Sequence, residues 1–194
     1  MEFRYFFRIG YTVARIPIAS TDYSTRVYSY DDVDGDMALT NFALAPEDLN
    51  LKIPLVKWAQ TLSGNKLRLF ASVWSAPGWM KVVGTIYGGG PLKGDVNGPY
   101  YQTWANYFVR FFEEYAKNNV TFWGVTMENE PEMGADLHYR FQALFYNASM
   151  ERDFAKGYWG QALRNNQVTQ NLKLMFLDGE RPDIVNWSNE VMMP

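Results

Sequence analysis

The sequence predicts an α/β fold built on a parallel sheet, and three observations carry the prediction. Short apolar and β-branched runs alternate with longer stretches of helical periodicity. The runs begin roughly fifty residues apart, and each one ends in polar or aromatic residues. Parallel strands need long crossover connections, which the helical stretches supply.

The four strand-like runs are residues 10–17 (GYTVARIP), 66–74 (KLRLFASVW), 121–131 (TFWGVTMENEP) and 172–179 (LKLMFLDG). Their nearly unbroken apolar character suits strands covered on both faces. The clearest helix covers residues 101–117, where Trp104, Tyr107, Phe108, Phe111, Phe112 and Tyr115 recur at helical spacing. So many aromatics on one face are expected to be buried against the sheet. A shorter helix spans 54–62 with Pro54 in its first turn. Another follows Ser149, a good N-cap, and runs to about residue 164.

Composition narrows the chemistry. With 47% hydrophobic residues and seven Trp there is ample material for a core. A net charge of −3, with Lys and Arg scattered, gives no footprint for nucleic acid. No apolar stretch approaches the roughly 18 residues that span a bilayer, and residues 1–7 (MEFRYFF) lack the pattern of a signal peptide. Without cysteine there is no disulfide, thiolate nucleophile or Cys-based zinc site, and one histidine, His138, forms no metal cluster. Hydrolytic chemistry is therefore left to carboxylates. His138 reads as a solvated loop residue and Glu132 as surface charge. Asn-x-Ser/Thr triplets at Asn119, Asn147 and Asn186 hint at a secretory route.

A barrel and a doubly wound sheet both fit the alternation. No glycine fingerprint follows a strand, because Gly88-Gly89-Gly90 stands in a long loop before Pro91, so nucleotide binding is disfavoured. The polar residues favour a barrel: Ser20, Thr21 and Asp22 end the first run, Trp74 and Ser75 the second, Asn129 and Glu130 the third, and Asp178 the fourth. Catalytic groups of a (β/α)8 barrel gather at these carboxyl ends, although 194 residues fall short of the roughly 250 of a whole barrel.

Asn129-Glu130-Pro131 at the end of a β-rich run resembles the signature closing the fourth strand of a large glycosidase clan. Residues 14–24 (ARIPIASTDYS), 69–80 (LFASVWSAPGWM), 101–109 (YQTWANYFV) and 123–131 (WGVTMENEP) are similar, in order and spacing, to glycoside hydrolase family 30, particularly its acid β-glucosidases. The resemblance runs from about Gly10 to at least Trp187. It implies that residues 1–194 are part of a glycosidase TIM barrel, about strands 2 to 5 with their helices. Strand 1, strands 6 to 8 and an accessory β-domain would be absent.

The resemblance also implies roles. Glu130 matches the general acid/base and Asn129 the neighbour that hydrogen-bonds the sugar 2-hydroxyl. Asp22 and Trp74 match residues that bind the glucose hydroxyls and wall the sugar, and Arg15 and Asp178 match polar residues around the same pocket. Arg15 reads equally as a buried ion-pair partner, and Asp178 as a cap for the next helix. Tyr139 and Phe141 match the loop shaping the entrance where a lipid aglycone leaves.

The implied activity is retaining hydrolysis of glucosylceramide, which needs one protonated carboxyl and a second carboxylate about 5 Å away. It uses no metal or cofactor. The family implies a glycolipid substrate, a lipid-presenting activator protein, contact with a membrane surface, and a lysosomal or secreted destination. Because the family's nucleophile lies on the seventh strand, this chain alone is expected to be inactive. The alternative is a fragment that binds sugar without hydrolysing it.

Overall fold

The computed structural model describes residues 10–193. The expectation about a signal peptide at residues 1–7 lies outside them. Four parallel strands, β1 (Val13–Ile18), β2 (Arg68–Val73), β3 (Gly124–Thr126) and β4 (Lys173–Met175), lie side by side in chain order. Val13 to Ile18 pair with Arg68 to Val73; Phe70 and Ala71 pair with Gly124 and Val125; Gly124 to Thr126 pair with Lys173 to Met175. Because each strand pairs with the next in sequence, the order never reverses as it does in a doubly wound sheet. The sheet therefore winds one way, as in a (β/α)8 barrel.

Helices fill each crossover. A π-helical turn, Asp48–Lys52, opens α1 (Ile53–Leu62), and α2 is Pro99–Lys117. After β3, α3 (Ala148–Phe154) passes through a π-helical stretch, Ala155–Trp159, into α4 (Gly160–Arg164); α5 (Ile184–Val191) follows β4. The aromatic face of α2 is core: Trp104, Tyr107, Phe108, Phe111, Phe112 and Tyr115 are all at most 2% exposed. Phe111 lies 4.5 Å from Tyr115 and 5.5 Å from Phe122, centroid to centroid. Asp48, fully buried, joins this layer to α1 by accepting the hydroxyls of Tyr30 at 2.7 Å and Tyr115 at 2.6 Å, with Lys52 Nζ at 3.1 Å.

Three details depart from the sequence expectation. Residues 121–131 yield only three residues of strand, because beyond Thr126 the backbone leaves the ladder to build the site described below. Helix α2 starts two residues early, since Pro99 supplies the preset φ of a first turn directly after extended Gly98. The cap of α3 is Asn147, not Ser149: Asn147 Oδ1 accepts the Met150 N–H at 2.9 Å and the Ser149 hydroxyl at 2.8 Å.

Candidate active site

Side chains from β1, β2 and β3 and from the turns after β3 and β4 meet in one hydrogen-bonded cluster. Arg15, on β1, directs Nη2 to Ser72 Oγ at 2.9 Å, Asn129 Oδ1 at 2.6 Å and Asp178 Oδ2 at 2.6 Å. Asp178 Oδ2 also accepts the hydroxyls of Ser72 at 2.8 Å and Thr126 at 2.9 Å. The Arg15 guanidinium carbon stands 4.6 Å from the centroid of the Trp74 ring. One cation and one carboxylate thus tie together residues as far apart in sequence as 15 and 178. Arg15 is an ion-pair partner, as one of its two readings expects, though a partly buried one: its side chain is 32% exposed and that of Asp178 22%. Asp178 caps nothing: the turn and helix after β4 take their N-cap positions at Glu180 and Asp183.

This arrangement fixes Asn129. Its amide oxygen is held by Arg15, which leaves Nδ2 unused as a donor among the described residues. Its backbone N–H donates to Val73 O at 2.8 Å, and the next N–H, that of Glu130, donates to Asp178 O at 3.0 Å. Pinned on both sides, Glu130 adopts a left-handed conformation, φ 47° and ψ 58°. A non-glycine residue there costs roughly 1–3 kcal/mol, which the surrounding bonds offset. The kink turns the chain out of the sheet into a 3-10 turn, Pro131–Ala135, and leaves Glu130 half-buried.

Asp22, Tyr139 and Phe141 form the rim. Asp22 is exposed in the turn after β1, closed by Ser24 N–H to Thr21 O at 3.1 Å. Tyr139 and Phe141 meet edge to face at 4.6 Å. Burial first, then the negative fields of Glu130 and Asp22, push the Tyr139 hydroxyl above its ordinary pKa, with Arg140 opposing. The tyrosine therefore lies within electrostatic reach of both carboxylates. His138 is exposed, as expected.

The rim is braced from below. Gly89 donates to Asp136 O at 3.0 Å and Gly90 to Gly134 O at 2.7 Å, and a Cβ at Gly89 would collide with those same carbonyls. The triple glycine thus permits two loops to touch backbone to backbone. Beside it Lys81, 0% exposed, donates Nζ to the carbonyls of Gly88 at 2.7 Å, Ala143 at 2.8 Å and Ile86 at 3.2 Å. Burial lowers its pKa to about 8, with Glu128 opposing.

Glu132 is not surface charge. Both of its carboxylate oxygens are shielded from solvent, and a Cβ at Gly179 would collide with them; burial raises its pKa. Two further buried acids escaped the sequence. Glu128 is 0% exposed with neither oxygen hydrogen-bonded among the described residues, and burial pushes it well above the ordinary carboxylate range. Glu151, also 0% exposed, accepts the Leu177 N–H at 3.2 Å and the Trp187 indole N–H at 2.7 Å on Oε2. It thereby supports Leu177 and Asp178, two consecutive positive-φ residues. Ser72 and Thr126 were also missed; a lone hydroxyl inside an otherwise apolar strand was their only signal.

A parallel β/α barrel segment with Asn-Glu on a kink at the carboxyl edge defines the chain as part of a glycosidase-type barrel. Residues 3–194 match the family described as the glycosyl hydrolase family 30 TIM-barrel domain, and the chain belongs to that family. Among curated relatives it is 52% identical over 184 residues to a Caenorhabditis elegans protein named provisionally as glucosylceramidase 4, covering 95% of this chain and 36% of the relative. It is 44% identical over 184 residues to the lysosomal acid glucosylceramidase of Mus musculus, covering 95% of this chain and 35% of the relative. The chain thus spans about a third of the length of these curated relatives. Among solved structures, SrfJ from Salmonella typhimurium superposes with a TM-score of 0.80 at 27% identity, over 92% of this chain and 38% of that one.

Proposed function

We propose that this chain carries the acid/base half of a retaining β-glucosidase that hydrolyses glucosylceramide to glucose and ceramide in a lysosomal setting. The observation that carries the reading is Glu130 held on a kink at the carboxyl edge of the sheet, beside an Asn129 whose amide is oriented by Arg15. Resemblance to the mouse lysosomal enzyme supports the substrate and the compartment.

In this reading Glu130 acts first as an acid. It protonates the glycosidic oxygen while a second carboxylate, on a barrel strand other than β1–β4, attacks the anomeric carbon. Ceramide leaves and a glucosyl-enzyme ester remains. Glu130, now ionised, takes a proton from the water that attacks the ester, releasing glucose and restoring the acid. Asn129 Nδ2 donates to the sugar 2-hydroxyl, Trp74 walls the ring, and Asp22 accepts from outer hydroxyls. Tyr139 and Phe141 line the exit of the lipid, which a membrane surface and an activator protein present. Without the second carboxylate, the 194-residue chain by itself gives no turnover.

The test is a graft. This chain replaces the matching segment of the mouse enzyme, and the chimaera is assayed on glucosylceramide and on nitrophenyl β-glucosides. We expect hydrolysis, and a loss of roughly 10²–10⁴-fold in Glu130→Gln for leaving groups that need protonation. Azide should restore turnover to Glu130→Ala with a β-glucosyl azide product. A Glu130→Gln graft as active as its parent sinks the assignment.

A further inference from the structure

Three Asn-x-Ser/Thr triplets stand outside the proposed chemistry; all three asparagines are exposed, and they differ in what their own side chains and neighbours are engaged in. Asn119 occupies the turn that closes α2, in a left-handed conformation, φ 59°, with its N–H donating to Ala116 O at 2.9 Å. Its side chain is exposed and hydrogen-bonds to nothing among the described residues. Val120, between Asn119 and Thr121, is fully buried, with its N–H on Tyr115 O at 3.0 Å, and Thr121 is exposed again. The turn is therefore anchored by its middle residue while Asn119 and Thr121 face solvent. Strand β3, which follows, is paired on both sides, so the chain itself completes these surroundings.

Location separates Asn119 from the other two. It precedes β3 and so sits at the edge of the sheet opposite Glu130, where a bulky glycan leaves the substrate path clear. Asn147 caps α3, with its oxygen engaged by Met150 N–H and by the Ser149 hydroxyl. It follows Tyr146, whose N–H donates to Pro131 O beside Glu130, and so belongs to the rim of the site. Asn186 lies inside α5, next to Trp187, whose indole is anchored on Glu151.

We infer that Asn119 is an N-glycan attachment site and that Asn147 and Asn186 are not. The co-substrate is an oligosaccharide carried on a lipid pyrophosphate. Asn119 Nδ2 bonds to its reducing-end C1, the C1–O bond to pyrophosphate breaks, the lipid pyrophosphate leaves with the electron pair, and Nδ2 gives one proton to the transferase. The inference rests on the secretory route that a lysosomal enzyme requires.

The test expresses the 194-residue chain behind a secretory leader in a eukaryotic host, with an unstructured Asn-Ala-Thr reporter appended to prove entry into the lumen. Because the leader supplies the route, a mistaken lysosomal assignment does not register here; only the site does. Peptide mapping after enzymatic deglycosylation, which converts the carrier Asn to Asp, is expected to mark the reporter and Asn119. Asn119→Gln and, independently, Thr121→Ala should each remove one glycan and leave the reporter's. A modified reporter with Asn119 unmodified, or a glycan at Asn147 or Asn186, overturns the inference.

Discussion

Arg15 Nη2 holds the side-chain oxygen of Asn129 at 2.6 Å, and through that bond a residue on the first strand decides which way an amide beside Glu130 faces. Removing the guanidinium leaves the amide free to rotate and strips Asp178 of its cation. Hydrogen bonds to charged groups contribute about 1.5–3 kcal/mol, so Arg15→Leu should lower kcat/KM of the grafted enzyme by roughly 10–150-fold. Arg15→Lys should restore it only in part, because an ammonium can replace bonds that all come from Nη2 but not the face of the guanidinium over the Trp74 ring. Wild-type kinetics in either variant would show that the contact is idle.

Glu151 predicts a pH dependence of stability. Burial raises its carboxyl to about 7; Glu132 and Asp178 add to the rise, and the Trp187 and Leu177 N–H groups oppose it. The folded state therefore holds the proton more tightly than the unfolded chain, whose value is 4.5. Its contribution is fully present below about pH 4.5 and is lost as pH climbs through 7. The size is on the order of 3 kcal/mol. Glu151→Gln keeps an acceptor for both N–H groups and should flatten that part of the profile in urea titrations between pH 4 and 8. An unchanged profile would assign the pH dependence elsewhere.

Phe111, 0% exposed among Tyr30, Phe112, Tyr115 and Phe122, tests the aromatic layer. Phe111→Ala should cost about 3–5 kcal/mol in unfolding free energy, read by denaturant midpoint. A loss below about 1 kcal/mol would mean the layer collapses around the gap.

Asn147→Ala removes the only side-chain cap seen on α3 among the described residues and should cost about 1 kcal/mol, while Ser149→Ala should cost less. Equal losses would return the cap to Ser149.

How much of this was legible depended on how each signal is written. Periodicity is local, so the aromatic face of α2 and the four strand positions could be read directly. The place of Asn129 and Glu130 just beyond β3, at the carboxyl edge of the sheet, could be read because they follow a strand-like run. Lys81, Glu128 and Glu151 could not: a charged letter looks the same in solvent or in a core, and only the meeting of distant segments buries it. Glu132 was misread for that reason. Ser72 and Thr126 gain meaning only when β2, β3 and β4 align, since their partner Asp178 is more than fifty residues further along the chain.

Lys81 grips carbonyls of both the loop that carries the triple glycine and the segment downstream of Glu130. An ammonium with all three protons committed allows neither strip of backbone to swing alone. The two strips are consequently tied to each other, so that displacing one drags the other with it or breaks a bond to a buried ammonium.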